Sequence, residues 1–193
     1  MRIGIFGGSF DPPHIGHSEI ARLSREKYAL DELIFLPTGV PPHKRQGITG
    51  GVHRLEMCRL VTEKYGFSLS DYEFRKNDFC YTADTMEYFS KLYAGSALYF
   101  IAGNDCIDYM DQWRQPERIF RVCTIISASR GGKSREKARL LEQNFGARIL
   151  FVDNRELAVS STQVREQAKK GLPLCGLVER EVAAYIQNHN LYR

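Results

Sequence analysis

No Cys-x-x-Cys pair occurs in the chain. The five cysteines, Cys58, Cys80, Cys106, Cys123 and Cys175, are odd in number and far apart, which argues against a disulfide framework and the common zinc and dithiol motifs. They are expected to be small core hydrophobes in a reducing compartment. No apolar run approaches the eighteen or so residues of a membrane span. The apolar stretch at Ile3 to Phe6 is too short for a signal peptide and runs straight into glycines and an aspartate, so a cytoplasmic protein without a membrane partner is expected. Charge of one sign is scarce as well. Lys and Arg outnumber Asp and Glu by 27 to 23, a net +4, with neither a basic stripe nor interleaved aromatics for nucleic acid. So slight a surplus suits a small anionic ligand.

What is present is globular: 193 residues, 43% hydrophobic and 26% charged. At this length folding hides about 70% of the surface of the unfolded chain, enough for a core without staples. No Pro/Gly-rich linker or low-complexity tract divides the sequence, so one domain over residues 1–193 is expected, with a helical portion from about 160. Candidate strands are Ile3 to Phe6, Leu33 to Leu36, the alternating Phe67 to Phe74, the apolar runs Ala97 to Ala102 and Val122 to Ala128, and Ile149 to Val152. Helical periodicity begins at Ile15 and recurs from about Val52 to Tyr65 (stripe Leu55, Cys58, Val61, Tyr65), Thr82 to Tyr93, Ser134 to Phe145, Thr162 to Lys170 and Val178 to Gln187. Strands alternating with helices predict an α/β fold with a doubly wound parallel sheet, whose ligands bind beyond the carboxyl ends of the strands.

The segment leaving the first strand is Gly7-Gly8-Ser9-Phe10-Asp11-Pro12-Pro13-His14-Ile15-Gly16-His17. Two glycines let a phosphate or ribose approach the backbone, and the helix start beyond offers unpaired N–H groups. Pro13 suits a first helical turn. His14 and His17, three apart, share a helical face that Gly16 keeps open, and two imidazoles there can donate to oxygens that gain charge during phosphoryl or nucleotidyl transfer. A glycine pair alone is usually a tight turn and a lone histidine usually structural; together, between a strand and a helix, they point to a site. Asp11 is open between a ligand contact and a cap that fixes the loop. The loop lacks the Lys-Ser/Thr of a Walker A and does not fit Gly-x-Gly-x-x-Gly.

It resembles the Gly-x-Phe-Asp-Pro-x-His-x-Gly-His signature of the HxGH nucleotidyltransferases, a superfamily that transfers a nucleotidyl group from a nucleoside triphosphate and releases pyrophosphate. Ser160-Ser161-Thr162-Gln163-Val164-Arg165 reads locally as a capping box, yet is similar to the Ser-Ser-Thr-x-x-Arg signature near the C-terminus of the same superfamily. Nearly the full length is similar to one branch, the bacterial nicotinate-nucleotide adenylyltransferases. The similarity runs through Pro37 to Lys44, Tyr81-Thr82-Ala83-Asp84-Thr85, Ile101-Ala102-Gly103-Asn104-Asp105 with Tyr109 and Trp113 beyond, and Asn190 to Arg193.

The resemblance implies a Rossmann-like nucleotidyltransferase fold and the joining of ATP to nicotinate mononucleotide as deamido-NAD. It implies His14, His17 and Arg165 as the groups acting on the triphosphate, and Gly7, Gly8, Ser9, Phe10, Gly16, Arg130, Ser160, Ser161 and Thr162 as the ATP site. Lys44, Thr82, Gly103, Asp105, Tyr109 and Trp113 would hold the mononucleotide: Trp113 stacks on the pyridine, amides behind a capping Thr82 receive its carboxylate, Tyr109 helps close the ring pocket and Asp105 holds a ribose hydroxyl. Lys44 would sit in a basic lid. Gly131-Gly132 replaces the family's frequent Pro-Gly after Arg130 and leaves that loop's shape open. Magnesium would arrive on phosphate oxygens and water without side-chain ligands. The rival substrates are nicotinamide mononucleotide and phosphopantetheine; the rival of another class is a non-catalytic nucleotide sensor. Oligomeric state is left open, a homo-oligomer included.

Overall fold

Alternate residues of the buried strands face opposite ways, and the two faces of the sheet have separate cores. In the computed structural model the described residues are 1–39, 48–76, 79–128, 132–153 and 159–193, with backbone only at 104, 105, 132 and 133. Leu33 and Phe35 pack with Phe6, Met57, Val164 and Ile186, while the intervening Ile34 and Leu36 pack with Ile5, Met86, Ile107 and Ile119. The described strands are β1 (Arg2–Gly8), β2 (Glu32–Pro37), β3 (Ser68–Leu69), β4 (Ala97–Ala102), β5 (Thr124–Ala128) and β6 (Ile149–Val152). They form one sheet in the order β3-β2-β1-β4-β5-β6, parallel throughout.

Parallel neighbours need crossovers. Helices α1 (Ile15–Lys27) and α2 (Gly51–Tyr65) cover one face together with α7 (Ser161–Lys169) and α8 (Arg180–Asn188). The other face carries α3 (Thr82–Leu92), α4 (Asn104–Tyr109), α5 (Pro116–Val122) and α6 (Gly132–Phe145). The sheet is thus the expected doubly wound one. Its order reverses between β1 and β4, which opens a crevice beyond their carboxyl ends. Among the described residues no helix is long and apolar enough to cross a membrane.

Several local expectations change. The alternation at 67–74 yields only the two-residue β3 at the sheet edge, followed by a 3₁₀ turn, Tyr72–Arg75, because that turn swings Glu73 into the interior, where it is 6% exposed. Val122 closes α5 instead of opening β5; this short helix, begun by Pro116, and the six-residue α4 lack the length for a helical period to show. Cys58, Cys80 and Cys123 are buried as expected, and burial pushes the Cys123 thiol up to about 12. Cys106 is only half-buried, packed against the margin of the core, and Cys175 is exposed, outside it. The buried stripe of α2 consists of Arg54, Met57, Cys58, Val61 and Thr62, with Leu55 and Tyr65 only half-buried.

Arg54 is the unexpected member, 2% exposed. Its Nη1 donates to the carbonyls of Ser9 (2.9 Å) and Thr38 (2.7 Å), Nη2 to that of Gly39 (3.2 Å) and Nε to that of Thr49 (3.0 Å). Burial lowers the guanidinium from its ordinary value, and the charge of Asp11 opposes that shift. One side chain thereby fastens the segments that leave β1 and β2 to the one that enters α2. Arg54→Met keeps most of the stem and removes every donor. It is expected to lower the unfolding free energy by about 3 kcal/mol or more, with Arg54→Lys recovering only part; an unchanged urea midpoint in Arg54→Met would show the four bonds to be dispensable.

Candidate active site

The strand runs on through the two glycines expected to end it, and Gly7 and Gly8 at the end of β1 are explained first by packing. A Cβ at Gly7 would lie 2.7 Å from the Phe100 ring, and one at Gly8 would lie 3.1 Å from the Phe10 ring. Phe10 takes a left-handed backbone, φ 46°, which for an L-residue costs about 1 kcal/mol or more. Its side chain, 1% exposed, packs edge-on against Phe6 and His17 at 5.3 and 5.0 Å between centroids. Phe10 therefore supports the histidine from the core, outside the lining of the cavity described below. The Asp11–Pro12 peptide is cis. His14 occupies the N-cap of α1, and its ring stacks on His17 at 3.6 Å. A Cβ at Gly16 would approach His14 Nδ1 to 3.0 Å, so the glycine leaves room for the pair.

The second signature meets the first. Ser160 caps α7, accepting from the Gln163 N–H. Ser161 Oγ donates to the Pro12 carbonyl at 2.9 Å, and Arg165 donates to the Asp11 carbonyl at 2.7 Å and to Thr162 Oγ1 at 3.1 Å. Asp11 fixes the loop from within. It is 5% exposed, and its carboxylate accepts from the Tyr192 hydroxyl (2.8 Å) and the Thr49 N–H (3.2 Å). Arg54 and Glu73 are supporting residues that the sequence did not single out, and Tyr192 stood there only within the similar segment Asn190 to Arg193, without a role. Arg54 left a trace there, a charge at helical spacing from Cys58 and Val61; Glu73 and Tyr192 left none that pointed to their partners.

A cavity of about 550 Å³ opens at the switch point. Gly7, Gly8 and Ser9 line it from the end of β1, Leu36 and Thr38 from the end of β2, and Phe100 from β4. Tyr81, Thr82 and Thr85 of the α3 region, then Trp113 and Arg114, close the other side. Trp113 is half-buried, edge-on to Phe100 at 6.2 Å. Thr82 is the first residue of α3 and not its cap; the extended Tyr81 holds that position without a side-chain cap bond, so the first-turn amides have no intrahelical acceptor. Glu73 also lines the cavity, and burial raises its carboxyl above the usual range.

Two expected contacts are not gathered here. Gly103 caps α4 outside the lining. Tyr109 is 59% exposed, because Ile107 and Met110 take the buried side of its segment. Lys44 with its loop, Arg130, and the side chain of Asp105 lie outside the described residues.

A cytidylyltransferase-like family model matches residues 5–167. A probable nicotinate-nucleotide adenylyltransferase of Carboxydothermus hydrogenoformans is 39% identical over 197 residues, covering 100% of this chain and 98% of the relative. One of Clostridium botulinum, strain Loch Maree, is 36% identical with 98% of each covered. The chain belongs to the nicotinate-nucleotide adenylyltransferase family. Its fold matches that of the nicotinic acid mononucleotide adenylyltransferase of Plasmodium falciparum, solved with NaAD. The TM-score is 0.81 at 21% identity, over 99% of this chain and 97% of that one. A putative nicotinate-nucleotide adenylyltransferase of Vibrio parahaemolyticus gives a TM-score of 0.72 at 17% identity, over 100% and 95%.

In this member of the nicotinate-nucleotide adenylyltransferase family the state of His17 follows from its surroundings. Burial, and then the charge of His14, hold the His17 imidazole well below the ordinary histidine range, so it is neutral at neutral pH. Its Nδ1 accepts the His14 N–H at 3.1 Å; the ring hydrogen is therefore on Nε2, available as an uncharged donor. Below about pH 6.5 an unfolded chain gains a proton at this position that the folded chain refuses. Stability then falls as pH drops, by up to ~1.4 kcal/mol per pH unit from this group, until the folded ring itself protonates. By NMR titration one histidine resonance, absent in His17→Asn, is expected to keep its neutral shift well below pH 6.5. A His17 midpoint near 6.5 would overturn the assignment.

Proposed function

We propose that the chain transfers the adenylyl group of ATP to nicotinate mononucleotide, giving deamido-NAD and pyrophosphate. The observation that carries this is the junction of the two signature loops, Ser161 on Pro12 and Arg165 on Asp11, beside a switch-point cavity walled by Trp113. The relatives at 39% and 36% identity are named for this activity, as probable nicotinate-nucleotide adenylyltransferases.

In the reaction an oxygen of the mononucleotide phosphate attacks the α-phosphorus in line. The bond to the bridging oxygen breaks, and pyrophosphate departs with its electron pair. A phosphate dianion is already nucleophilic, so the chain has mainly to align two anions and stabilise the added charge. His14 and the Nε2–H of His17 donate to triphosphate oxygens. Arg165, held by Asp11 and Thr162, and the start of α7 at Ser160 to Thr162 take the outer phosphates. The Gly7 to Ser9 segment, with Gly16 beyond it, lets both substrates approach the backbone. On the acceptor side Trp113 stacks on the pyridine and the first-turn amides of α3 receive its carboxylate. Lys44, Asp105 and Arg130 have their roles from the family resemblance alone. Magnesium belongs to this scheme as part of the ATP substrate, held by phosphate oxygens; among the described residues no group of three or more His, Cys, Asp or Glu is placed to hold a metal ion.

Pyrophosphate release with magnesium ATP and, in turn, nicotinate mononucleotide, nicotinamide mononucleotide and phosphopantetheine tests the proposal; release is expected with the first in strong preference, and release with none would end it. His17→Ala is expected to lower kcat on the order of 100-fold or more with little change in KM. Trp113→Ala should raise KM for the mononucleotide roughly tenfold and leave that for ATP nearly unchanged. An equal rise for ATP would make Trp113 a core residue.

A further inference from the structure

We propose that Arg114 is the specificity-determining residue that draws the anionic ring substituent of the acceptor to the rim of the cavity; this rests on the adenylyltransferase activity proposed above. The described lining carries two charged side chains of opposite sign, Glu73 and Arg114. Glu73 is deep, and both its oxygens are committed: Oε2 accepts the Gly39 N–H at 3.2 Å and Oε1 the Thr85 hydroxyl at 2.9 Å. A carboxylate pointed inward would face that carboxyl without a free donor. Arg114 is exposed, beside the stacking Trp113, and its guanidinium lies 4.4 Å from the centre of the Tyr81 ring. The aromatic face steers the guanidinium without neutralising it.

Its neighbours sharpen the contrast. Arg118 is committed to Asp84 at 2.8 Å and Glu87 at 2.6 Å, so it cancels the acidic residue in the first turn of α3. Among the described residues Arg114 makes no ion pair. The cavity wall therefore offers an anion one uncommitted cation, next to the start of α3 and away from Glu73. An acid gains from that placement and the corresponding neutral amide gains little, so Arg114 acts on the difference between the two substrates.

The test measures kcat and KM for wild type, Arg114→Gln and Arg114→Lys with nicotinate and nicotinamide mononucleotides, at low ionic strength and at about 0.3 M KCl. Arg114→Gln is expected to raise KM for the acid about tenfold and those for the amide and ATP less than twofold, with kcat little changed. Arg114→Lys should recover most of the loss, and added salt should narrow the gap between wild type and Arg114→Gln. The side chain is exposed, so thermal unfolding should match wild type; a lowered Tm would itself count against a pure recognition role. An unchanged KM for the acid, or equal rises for acid and amide, would overturn the proposal while the wild-type activity stood. A wild type that releases no pyrophosphate with either mononucleotide would remove the reaction and the proposal together.

Discussion

A parallel sheet delivers its strands to one edge, and every strand that ends there leaves carbonyls the ladder cannot satisfy. Here one buried guanidinium meets those that follow β1 and β2. Arg54 spans Ser9, Thr38, Gly39 and Thr49 with three nitrogens, a use suited to the fixed fork of arginine and beyond the reach of a single ammonium. Gly39 is held from both sides, its carbonyl by Arg54 and its N–H by Glu73, and Glu73 passes the constraint to Thr85 on α3. The fit leaves no space for a side chain, since a Cβ on Gly39 would lie 2.3 Å from the Glu73 carbonyl oxygen. The wall of the switch-point cavity is thus continuous with the clamp on the strand ends.

The same logic extends to the loop after β1. Arg54 holds it at Ser9, while Tyr192, Thr49 and Arg165 hold it at Asp11. The Ile15 N–H at the start of α1 bonds the Leu177 carbonyl, so the segment between α7 and α8 braces the histidine helix as well. Bonds made within the folded chain therefore set the positions of His14 and His17. Donors already aimed need little reorganisation as charge develops, which is where electrostatic catalysis gains most. The left-handed Phe10 belongs to this arrangement: its backbone strain is offset by an aromatic contact directly behind His17.

These supports were the least legible part of the sequence. Strands covered on both faces read as apolar runs, so β1, β2, β4 and β6 stood out; β5 was displaced by two residues because Val122 and Cys123 are equally apolar while serving the end of α5. Phe67, Leu69 and Phe74 imitate a strand, but only two residues there pair in the sheet. The signature residues His14, His17, Ser161 and Arg165 do converge, and Trp113 and Thr82 share the cavity wall. Tyr109 occupies a motif position and is 59% exposed, outside the described lining. Glu73 and Tyr192 depend on partners 34 and 181 positions away, and no local pattern reports a separation of that kind.

A site for two anionic substrates could be built by concentrating positive charge, and the described residues largely do otherwise. Several cations are paired elsewhere: Arg22 with Glu19 and Glu26, Arg59 with Glu56 and Glu63, Lys137 with Asp111. The donors of Arg54 that reach the site are turned toward carbonyls. Among the described residues the triphosphate side has His14, the neutral His17, Arg165 and the amide ends of helices. Aligned amides and an uncharged imidazole stabilise negative charge without strongly repelling one another, so they can be packed closely where several cations could not. They also change little when pyrophosphate carries charge away. A free cation has a different use at the acceptor end, where the distinction to be drawn is between a charged and an uncharged ring substituent. Dipoles discriminate weakly between such ligands and a full charge discriminates strongly, which is the physical ground for proposing that the exposed Arg114 beside the cavity sets the selectivity.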